Sequence, residues 1–322
     1  MNIHYISHGP YKSGGYQHES RLLDTCAEYF EATHPVNKKT FRQEKLFETW
    51  IDYWYLLLWS FFKSNGDINI TTARTAIPAI WRNRFNKKQV WIVLHNFDEN
   101  DGKSWLMKWY FKALFNILKR NNDCRIKLIA VAPYWLNYFK TEKKIEHVYL
   151  FPNLFDLDIY KAIGHQQKHK RIHLGQFSSK NDPAILDLAL RLSKDGYYCY
   201  FTTLDERLHR VDRSFYDIVK YDDFREYLKI MASCECTLAL SKVKEGWNRV
   251  AHESLLVGTP VLGYKSGGLG DLLKESNSII VNSVDEAYTC ITEHLWMQAD
   301  TDFLNKYDIK NAPNWLKSIC QN

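Results

Sequence analysis

Residues 241–263 read SKVKEGWNRVAHESLLVGTPVLG, a pattern that predicts a loop, a helix and then a strand, placed after a buried strand. The loop carries Glu245, and Asn248 is a typical N-cap for the helix that follows. Gly258 can end this helix in the left-handed conformation that glycine tolerates, and the next strand begins at Pro260. Such a strand–helix–strand unit is typical of a parallel sheet covered by helices.

Two acidic residues of this stretch, Glu245 and Glu253, stand just before and within the predicted helix. The first turn of a helix offers free N–H groups and a partial positive charge, which suit a phosphate. Carboxylates suit polyols instead, because each can accept two hydroxyl hydrogen bonds. We therefore expect one glutamate to hold sugar hydroxyls and the other a ribose diol, with a diphosphate between them. The backbone groups expected to meet that diphosphate are those of Gly246, Trp247, Asn248, Arg249 and Val250.

The same alternation of short apolar runs and longer helical patterns extends along the whole chain. Strands are predicted at 3–7, 68–71, 90–95, 127–131 and 148–151, and again at 172–174, 197–202, 236–240, 260–263 and 278–281. The rhythm is interrupted by a polar stretch at 164–171. This pattern predicts two doubly wound α/β units with a ligand cleft at the carboxyl ends of their strands.

The length of 322 residues fits two domains of about 150 residues each. We predict an N-terminal domain at 1–160 and a second domain at 161–297, which carries the two glutamates. The final segment, 298–322, is predicted to be helical and to pack back toward the N-terminal domain.

Composition excludes several classes of protein. The net charge of +6 favours an anionic partner, but no run rich in lysine and arginine indicates nucleic-acid binding. Seven cysteines without a C-x-x-C pair favour reduced thiols and a cytoplasmic setting. The most apolar stretch, 50–62, is shorter than the roughly 20 residues of a membrane-spanning helix. The first residues lack a signal-peptide pattern.

The glutamate spacing, the run G-T-P-V at 258–261 and the run S-G-G at 266–268 together resemble the donor-site signature of a known family. This family is the retaining family-4-type glycosyltransferases, which have the GT-B fold of two Rossmann-like domains facing a cleft. The resemblance implies a nucleotide diphosphate sugar as the donor and a glycan or lipid-linked hydroxyl as the acceptor. It also implies transfer with retention of anomeric configuration, with Glu253 on the ribose and Glu245, as a catalytic residue, on the sugar.

The resemblance extends more weakly over most of the chain. Gly14 and Gly15 resemble the glycine loop through which the backbone approaches the donor diphosphate. His95 resembles the strand-end histidine of the N-terminal domain, which implies a catalytic role near the donor sugar. The loop at 174–181 resembles the one whose basic residues bind the diphosphate, which implies that Lys180 neutralises phosphate charge.

The chain departs from the family pattern at several positions. Gln176 stands where the family usually has arginine, although it remains a candidate donor-binding residue. Asn181 and Asn248 each stand where glycine is usual. Arg249, which follows Asn248, is a candidate for the missing positive charge.

No metal or other cofactor is expected. His165, His169 and His173 lack the spacing and cysteine partners of a closed metal site. The D-x-D pattern at 156–158, by which other glycosyltransferases hold a divalent metal, falls in the predicted interdomain turn. We therefore interpret it as accidental.

The helix predicted at 105–120 is apolar nearly all round, with polar positions spaced four residues apart. It is either a buried helix with one solvent-exposed edge or a helix that lies on a membrane surface. The second interpretation would make the protein peripheral at the inner membrane face and would suit a lipid-linked acceptor.

Other functions within the same fold stay open. A catalytically silent GT-B protein that binds glycan or nucleotide is one alternative, and Gln176 is the residue that favours it. A nucleotide-sugar epimerase is another, whereas a phosphorylase would need a much longer chain. The glutamate pair and the G-T-P-V run favour transfer.

Overall fold

The computed structural model describes residues 1–6, 14–31, 50–97, 105–203, 210–295 and 301–321. The chain divides into two compact units. The first unit comprises Met1–Leu154 and Lys310–Asn322, and the second comprises Phe155–Ile309.

The first unit contains a five-stranded parallel sheet in which the strands follow one another in chain order. Its strands are β1 (Ile3–Ile6), β2 (Ile68–Thr72), β3 (Gln89–Leu94), β4 (Ile126–Ala130) and β5 (Val148–Leu150). Its helices up to this point are α1 (Gly14–Tyr29), α2 (Trp50–Lys63), α3 (Ala76–Asn86), α4 (Trp105–Lys119) and α5 (Pro133–Thr141). β2, β3 and β4 are buried almost throughout, as expected for parallel strands covered on both faces.

In its described residues, the second unit contains a seven-stranded sheet in the order β12-β11-β10-β6-β7-β9-β8, of which β8 alone runs antiparallel. Its strands are β6 (His169–Gln176), β7 (Tyr198–Thr202), β8 (Arg210–Asp212), β9 (Asp217–Val219), β10 (Cys234–Ala239), β11 (Val261–Gly263) and β12 (Ile279–Ile280). Its helices are α6 (Leu157–Lys161), α7 (Ile185–Lys194), α8 (Phe224–Ala232), α9 (Arg249–Leu256), α10 (Gly268–Glu275) and α11 (Val284–Thr292). The strand order reverses direction at β6, so the sheet is doubly wound.

Two parts of the second sheet differ from the sequence prediction. β8 and β9 were not predicted, because their short segments are charged and lack an apolar run. β6 begins at His169, inside the polar stretch at 164–171, where no strand was predicted. The side chains of His169 and Lys170 are exposed, and His169 pairs with Cys234 through its backbone, so the strand needs no apolar side chains there.

The boundary between the units lies at residue 154 rather than 160. The N–H of Phe155 donates to the carbonyl of Tyr307 (2.9 Å), and the N–H of Ile309 donates to the carbonyl of Phe155 (2.8 Å). These bonds tie Phe155 to the last residues of the second unit. The final helix, α12 (Ala312–Cys320), packs on α1 and β5 in the first unit. The segment that rejoins the first unit therefore begins at Lys310 rather than at residue 298.

His173 lies in the core of the second unit and is fully buried. Its Nδ1 lies 3.3 Å from the Thr237 hydroxyl, and its Nε2 lies 3.3 Å from the Thr202 hydroxyl. The ring also stacks on Tyr200, with 5.0 Å between centroids. Burial lowers the pKa of His173 to about 3, so the residue is a neutral part of the core.

This burial predicts a loss of stability in acid. Below pH 6.5 the unfolded chain protonates His173, whereas the folded chain does so only near pH 3, so the free energy of unfolding falls as the pH drops through this window. From pH 8 to pH 5 the contribution of His173 is a loss of about 2 kcal/mol. His173→Phe should remove this contribution. Urea unfolding at the two pH values measures it, and an unchanged pH dependence in the variant would contradict the prediction.

Candidate functional site

The connection from β10 to α9 has the local structure that its sequence predicts. The side chain of Asn248 caps α9, because its Oδ1 accepts the N–H of Ala251 at 2.9 Å. Gly258 follows the helix with a φ of +75°, a conformation that favours glycine. Both predictions are confirmed, and the first turn of α9 lies just beyond the carboxyl end of β10.

The loop that carries Glu245 is tied to the loop after β11. The N–H of Gly268, the first residue of α10, donates to the carbonyl of Glu245 at 2.9 Å. The hydroxyl of Ser266 donates to the carbonyl of Val243 at 2.5 Å. Glu245 is half-buried. The N-terminal ends of α9 and α10 therefore follow two loops that are bonded to each other.

Gly267 permits the closest approach between these loops. Its φ is +55°, and a Cβ atom built on it would lie 2.4 Å from the carbonyl oxygen of Glu245. No side chain fits there unless the backbone of the Glu245 loop moves. Gly267 of the S-G-G run is thus needed to hold this loop.

Gly267→Ala should destabilise the second unit by about 3 kcal/mol or more, because it combines an unfavourable φ with a backbone clash. Gly258→Ala is the matched control, since its φ is also positive but a Cβ there would meet nothing within 4 Å. The control should lose only about 1 kcal/mol. Thermal unfolding of both variants checks this, and equal losses would show that the contact with Glu245 is unimportant.

A third loop, after β6, reaches the same edge of the sheet. The N–H of Lys242 donates to the carbonyl of Lys180 at 3.0 Å, and Asn181 forms a backbone bridge with Ser241. The amide of Asn181 also donates to the carbonyl of Gln176 at 2.8 Å. The structure thus brings the loop of Gln176 and Lys180 against the loop of Glu245. The side chains of Gln176 and Lys180 are exposed to solvent.

Asp182 helps to hold these loops and was not identified from the sequence. Its carboxylate accepts hydrogen bonds from the Tyr264 hydroxyl (3.0 Å) and forms an ion pair with Lys242 (3.1 Å). Burial raises the pKa of Asp182, but bonds from the Ala184 amide, Lys242 and Tyr264 outweigh it and leave the pKa below its ordinary value. Asp182 therefore cross-links all three loops as an ionised group.

Glu253 lies on α9 and is only 7% exposed. Arg249 donates to its Oε1 at 3.4 Å, and the hydroxyls of Tyr160 and Tyr227 also donate to the carboxylate. Burial raises the pKa of Glu253 above its ordinary value, although Arg249 and the two tyrosines oppose the shift. The two tyrosines come from α6 and α8, and neither was identified from the sequence.

The side chain of Trp247 packs into the core of the second unit. Its indole N–H donates to Nδ1 of His252 at 2.9 Å, and its ring lies 5.1 Å from that of Tyr307. The ring of His252 packs on Phe155 at 4.0 Å. Burial lowers the pKa of His252 well below its ordinary value. The backbone of Trp247 is thus the part of this residue that lies in the Glu245 loop.

Arg249 occupies the start of α9. Its guanidinium lies 4.6 Å from the centroid of the Phe155 ring and bonds to Glu253, one turn further along the helix. Val250, the next residue, is half-buried. The side chain of Arg249 therefore pairs with the carboxylate of Glu253 and packs on Phe155.

In the first unit, His95 follows β3 and is paired with a buried glutamate. Its Nε2 lies 2.9 Å from Oε1 of Glu19, and the hydroxyl of Tyr5 donates to Oε2 of the same residue. Glu19 and Tyr5 are buried, whereas His95 is partly exposed. Because the carboxylate accepts, Nε2 carries the hydrogen of this bond. Neither partner of His95 was identified from the sequence.

Gly14 and Gly15 are the first two residues of α1. Residues 7–13, which join β1 to this helix, lie outside the described part of the chain. The two glycines therefore belong to a helix N-terminus that follows the first strand.

The D-x-D pattern has a local structural role. The carboxylate of Asp156 caps α6 by accepting the N–H of Asp158 at 3.2 Å. Within the described ranges, no three histidine, cysteine, aspartate or glutamate side chains are arranged to hold a metal ion. None of the helices in these ranges combines the length and apolarity needed to cross a membrane.

Comparisons with known proteins relate the chain to solved structures rather than to sequences. No family model and no curated protein matches the sequence. HepE from Anabaena, solved in complex with UDP and glucose, matches over 100% of this chain and 99% of its own, with a TM-score of 0.73 at 14% identity. Sucrose-phosphate synthase from Thermosynechococcus elongatus matches over 99% and 94%, with a TM-score of 0.67 at 15% identity. WaaG, a glycosyltransferase involved in lipopolysaccharide biosynthesis, matches over 99% and 95%, with a TM-score of 0.60 at 13% identity.

These matches agree with a chain built from two α/β sheets. Their identities support a statement about fold, and they extend over nearly the whole of each chain. The predicted fold class is confirmed: the chain has the GT-B fold, built from two Rossmann-like α/β units. Among the described strands, those of the second sheet reverse their order as a doubly wound sheet does, whereas those of the first sheet do not.

Proposed function

We propose that this chain is a glycosyltransferase that moves a sugar from a nucleotide diphosphate sugar to a hydroxyl of a glycan or of a lipid-linked acceptor. One observation carries the proposal. Three loops, which contain Gln176, Glu245 and Gly267, are hydrogen-bonded to one another at one edge of the second sheet. Ligands of such sheets bind at this edge. The complex of HepE with UDP and glucose supports a nucleotide sugar as the ligand.

The diphosphate is assigned to the first turn of α9. The cap by Asn248 uses the N–H of Ala251, which leaves the N–H groups of Arg249 and Val250 without partners in the helix. Lys180 is exposed on the neighbouring loop and supplies a mobile positive charge. Arg249 adds a fixed positive charge near the same turn, which offsets the glutamine at 176. These groups would stabilise the leaving diphosphate, where negative charge develops during transfer.

Glu253 is assigned to the ribose. Its carboxylate accepts a bond from Arg249 at 3.4 Å and is also stabilised by Tyr160 and Tyr227. A carboxylate has about four acceptor positions, so it can accept a ribose hydroxyl beside these bonds.

Glu245 is assigned to the hydroxyls of the transferred sugar, because it sits in the loop immediately before the assigned diphosphate site. His95 is assigned to a hydroxyl in the reaction, with Glu19 fixing the orientation of its ring. The acceptor substrate is assigned to the first unit.

Retention of anomeric configuration is proposed from the resemblance of the 245–268 segment to retaining enzymes.

The test of the donor class is thermal unfolding with UDP, GDP and ADP and with their sugar conjugates. A ligand at 100 times its Kd adds about 2.7 kcal/mol to the free energy of unfolding. Stabilisation by one nucleotide series, reduced by Lys180→Ala, supports the proposal. Stabilisation by none of them contradicts it.

A catalytically silent GT-B protein is the second candidate function, and Gln176 in the phosphate loop favours it. Such a protein would bind nucleotide without turning it over. The two candidates are separated by incubating the protein with the donor and with an extract that contains acceptors. Only a transferase releases the nucleoside diphosphate from the donor. An epimerase would instead invert one stereocentre of the sugar and leave the bond between the sugar and the diphosphate intact.

We also propose that turnover needs no divalent metal. The diphosphate charge is assigned to Lys180, Arg249 and backbone N–H groups, and Asp156 of the D-x-D pattern caps α6. Excess EDTA should therefore leave the rate of donor turnover within about twofold of its value in magnesium. Complete loss of turnover, restored by added metal, would show that the assignment of the diphosphate charge is wrong.

A further inference from the structure

Three helices of the first unit, α2, α3 and α4, carry large apolar side chains that are each more than half exposed. These side chains, which we call the aromatic face, are Trp54, Leu58, Phe62, Trp81, Phe85, Trp105 and Trp109. Within each helix they are spaced four residues apart, so they share one side of it. Single exposed apolar residues are ordinary, but a group of this size marks a binding surface.

The three helices are neighbours. The rings of Phe61 on α2 and Phe85 on α3 lie 6.5 Å apart. The hydroxyl of Tyr110 on α4 accepts the N–H of Ile77 on α3 at 3.2 Å. Both α3 and α4 connect consecutive parallel strands in the same direction, and right-handed connections of this kind place their helices on one side of the sheet.

These three helices carry a large excess of positive charge. α2, α3 and α4 contain six lysines and arginines and one aspartate. Lys108 and Lys112 on α4 are exposed beside Trp109. The groove between α3 and α4 is lined by Arg84, Lys87 and Arg120, together with the ion pair of Arg125 and Asp123. A partner of this face must therefore offer negative charge together with an apolar layer.

We propose that the aromatic face docks the protein on an anionic lipid bilayer. Tryptophan and basic side chains favour the boundary between headgroups and hydrocarbon, and leucine and phenylalanine enter the hydrocarbon itself. α2 has 14 residues and α4 has 15, so these helices lie on the surface rather than span it. The face binds the headgroups through its lysines and arginines.

A second copy of this chain fits the face poorly. In a symmetric dimer the same patch meets itself, so helices with six basic residues and one acidic residue would face an equal excess of positive charge. Like charges across an interface oppose association. An anionic bilayer satisfies both the charge and the apolar surface.

Docking on a membrane extends the proposed function without depending on it. Only the delivery of a lipid-linked acceptor rests on the transferase activity. Vesicle binding is measured without any donor or acceptor, so its result is independent of the outcome of the donor tests.

The experiment is co-sedimentation of the purified full chain with vesicles of phosphatidylcholine alone or in an equimolar mixture with phosphatidylglycerol. We expect binding to the anionic vesicles that weakens as salt is added, and much weaker binding to the neutral ones. Lys108→Gln with Lys112→Gln should reduce the affinity for anionic vesicles roughly 30-fold. Trp81→Ser with Phe85→Ser should reduce it at least about tenfold.

Leu190→Ser with Lys194→Glu is the matched control, because both side chains are exposed on α7 in the second unit. It should bind as the wild type does. Absence of wild-type binding to anionic vesicles, or equal binding by all variants, would overturn the proposal. A dimer in solution that Trp81→Ser with Phe85→Ser dissociates would also overturn it, since a second copy would then cover the face.

Discussion

Glu245→Gln should reduce kcat/KM for sugar transfer by about 100-fold, which corresponds to about 2.7 kcal/mol of transition-state stabilisation. The proposed carboxylate bonds to sugar hydroxyls are charge-assisted, and the amide replaces them with weaker neutral bonds. The loop itself should keep its structure, because its link to Gly268 is made by the backbone carbonyl of residue 245. Steady-state kinetics with the donor identified by thermal unfolding measures the effect.

Binding data separate this role of Glu245 from a general disturbance of the site. Since Glu245 is assigned to the sugar rather than to the nucleotide, Glu245→Gln should bind the free nucleoside diphosphate as the wild type does. Only the additional affinity for the sugar conjugate should be lost. Glu293→Gln, on an exposed carboxylate after α11, is the control. Near-normal transfer by Glu245→Gln would refute the assignment.

The parts of the site that the sequence predicts are those built from local interactions. Asn248 caps α9 through a bond to a residue three positions away, and Gly258 ends the segment through its own φ. The strands are predicted because parallel strands buried on both faces form continuous apolar runs. Each of these features depends on a few neighbouring residues, so the sequence pattern is sufficient.

The parts that the sequence does not predict depend on contacts between distant residues. Glu19 is 76 positions from His95 and lies on α1, where nothing in the local pattern distinguishes it from an exposed helical glutamate. Tyr160 and Tyr227 reach Glu253 only because α6 and α8 both pack near α9. The exposed tryptophans of α4 are a further case, because an apolar helix sequence alone does not show which side faces solvent.

Glu253→Leu should destabilise the second unit by about 3–5 kcal/mol, because it leaves the partners of the carboxylate without an acceptor. Those partners are the buried Tyr160 and the half-buried Arg249 and Tyr227. Glu253→Gln should lose less, since its amide oxygen still accepts one or two of these bonds. The expected order of stability is therefore wild type, glutamine variant and then leucine variant, measured by urea unfolding at neutral pH.

The same two variants test the assigned role of Glu253 in donor binding. At a temperature where both are folded, each should bind the nucleoside diphosphate at least about tenfold more weakly than the wild type, because a charge-assisted ribose contact is lost. Asp285→Asn is the control, since Asp285 pairs with Arg191 at the surface and such pairs contribute little. If Glu253→Gln binds the nucleotide normally while it loses stability, Glu253 only links helices α6, α8 and α9, and the ribose is held by other groups.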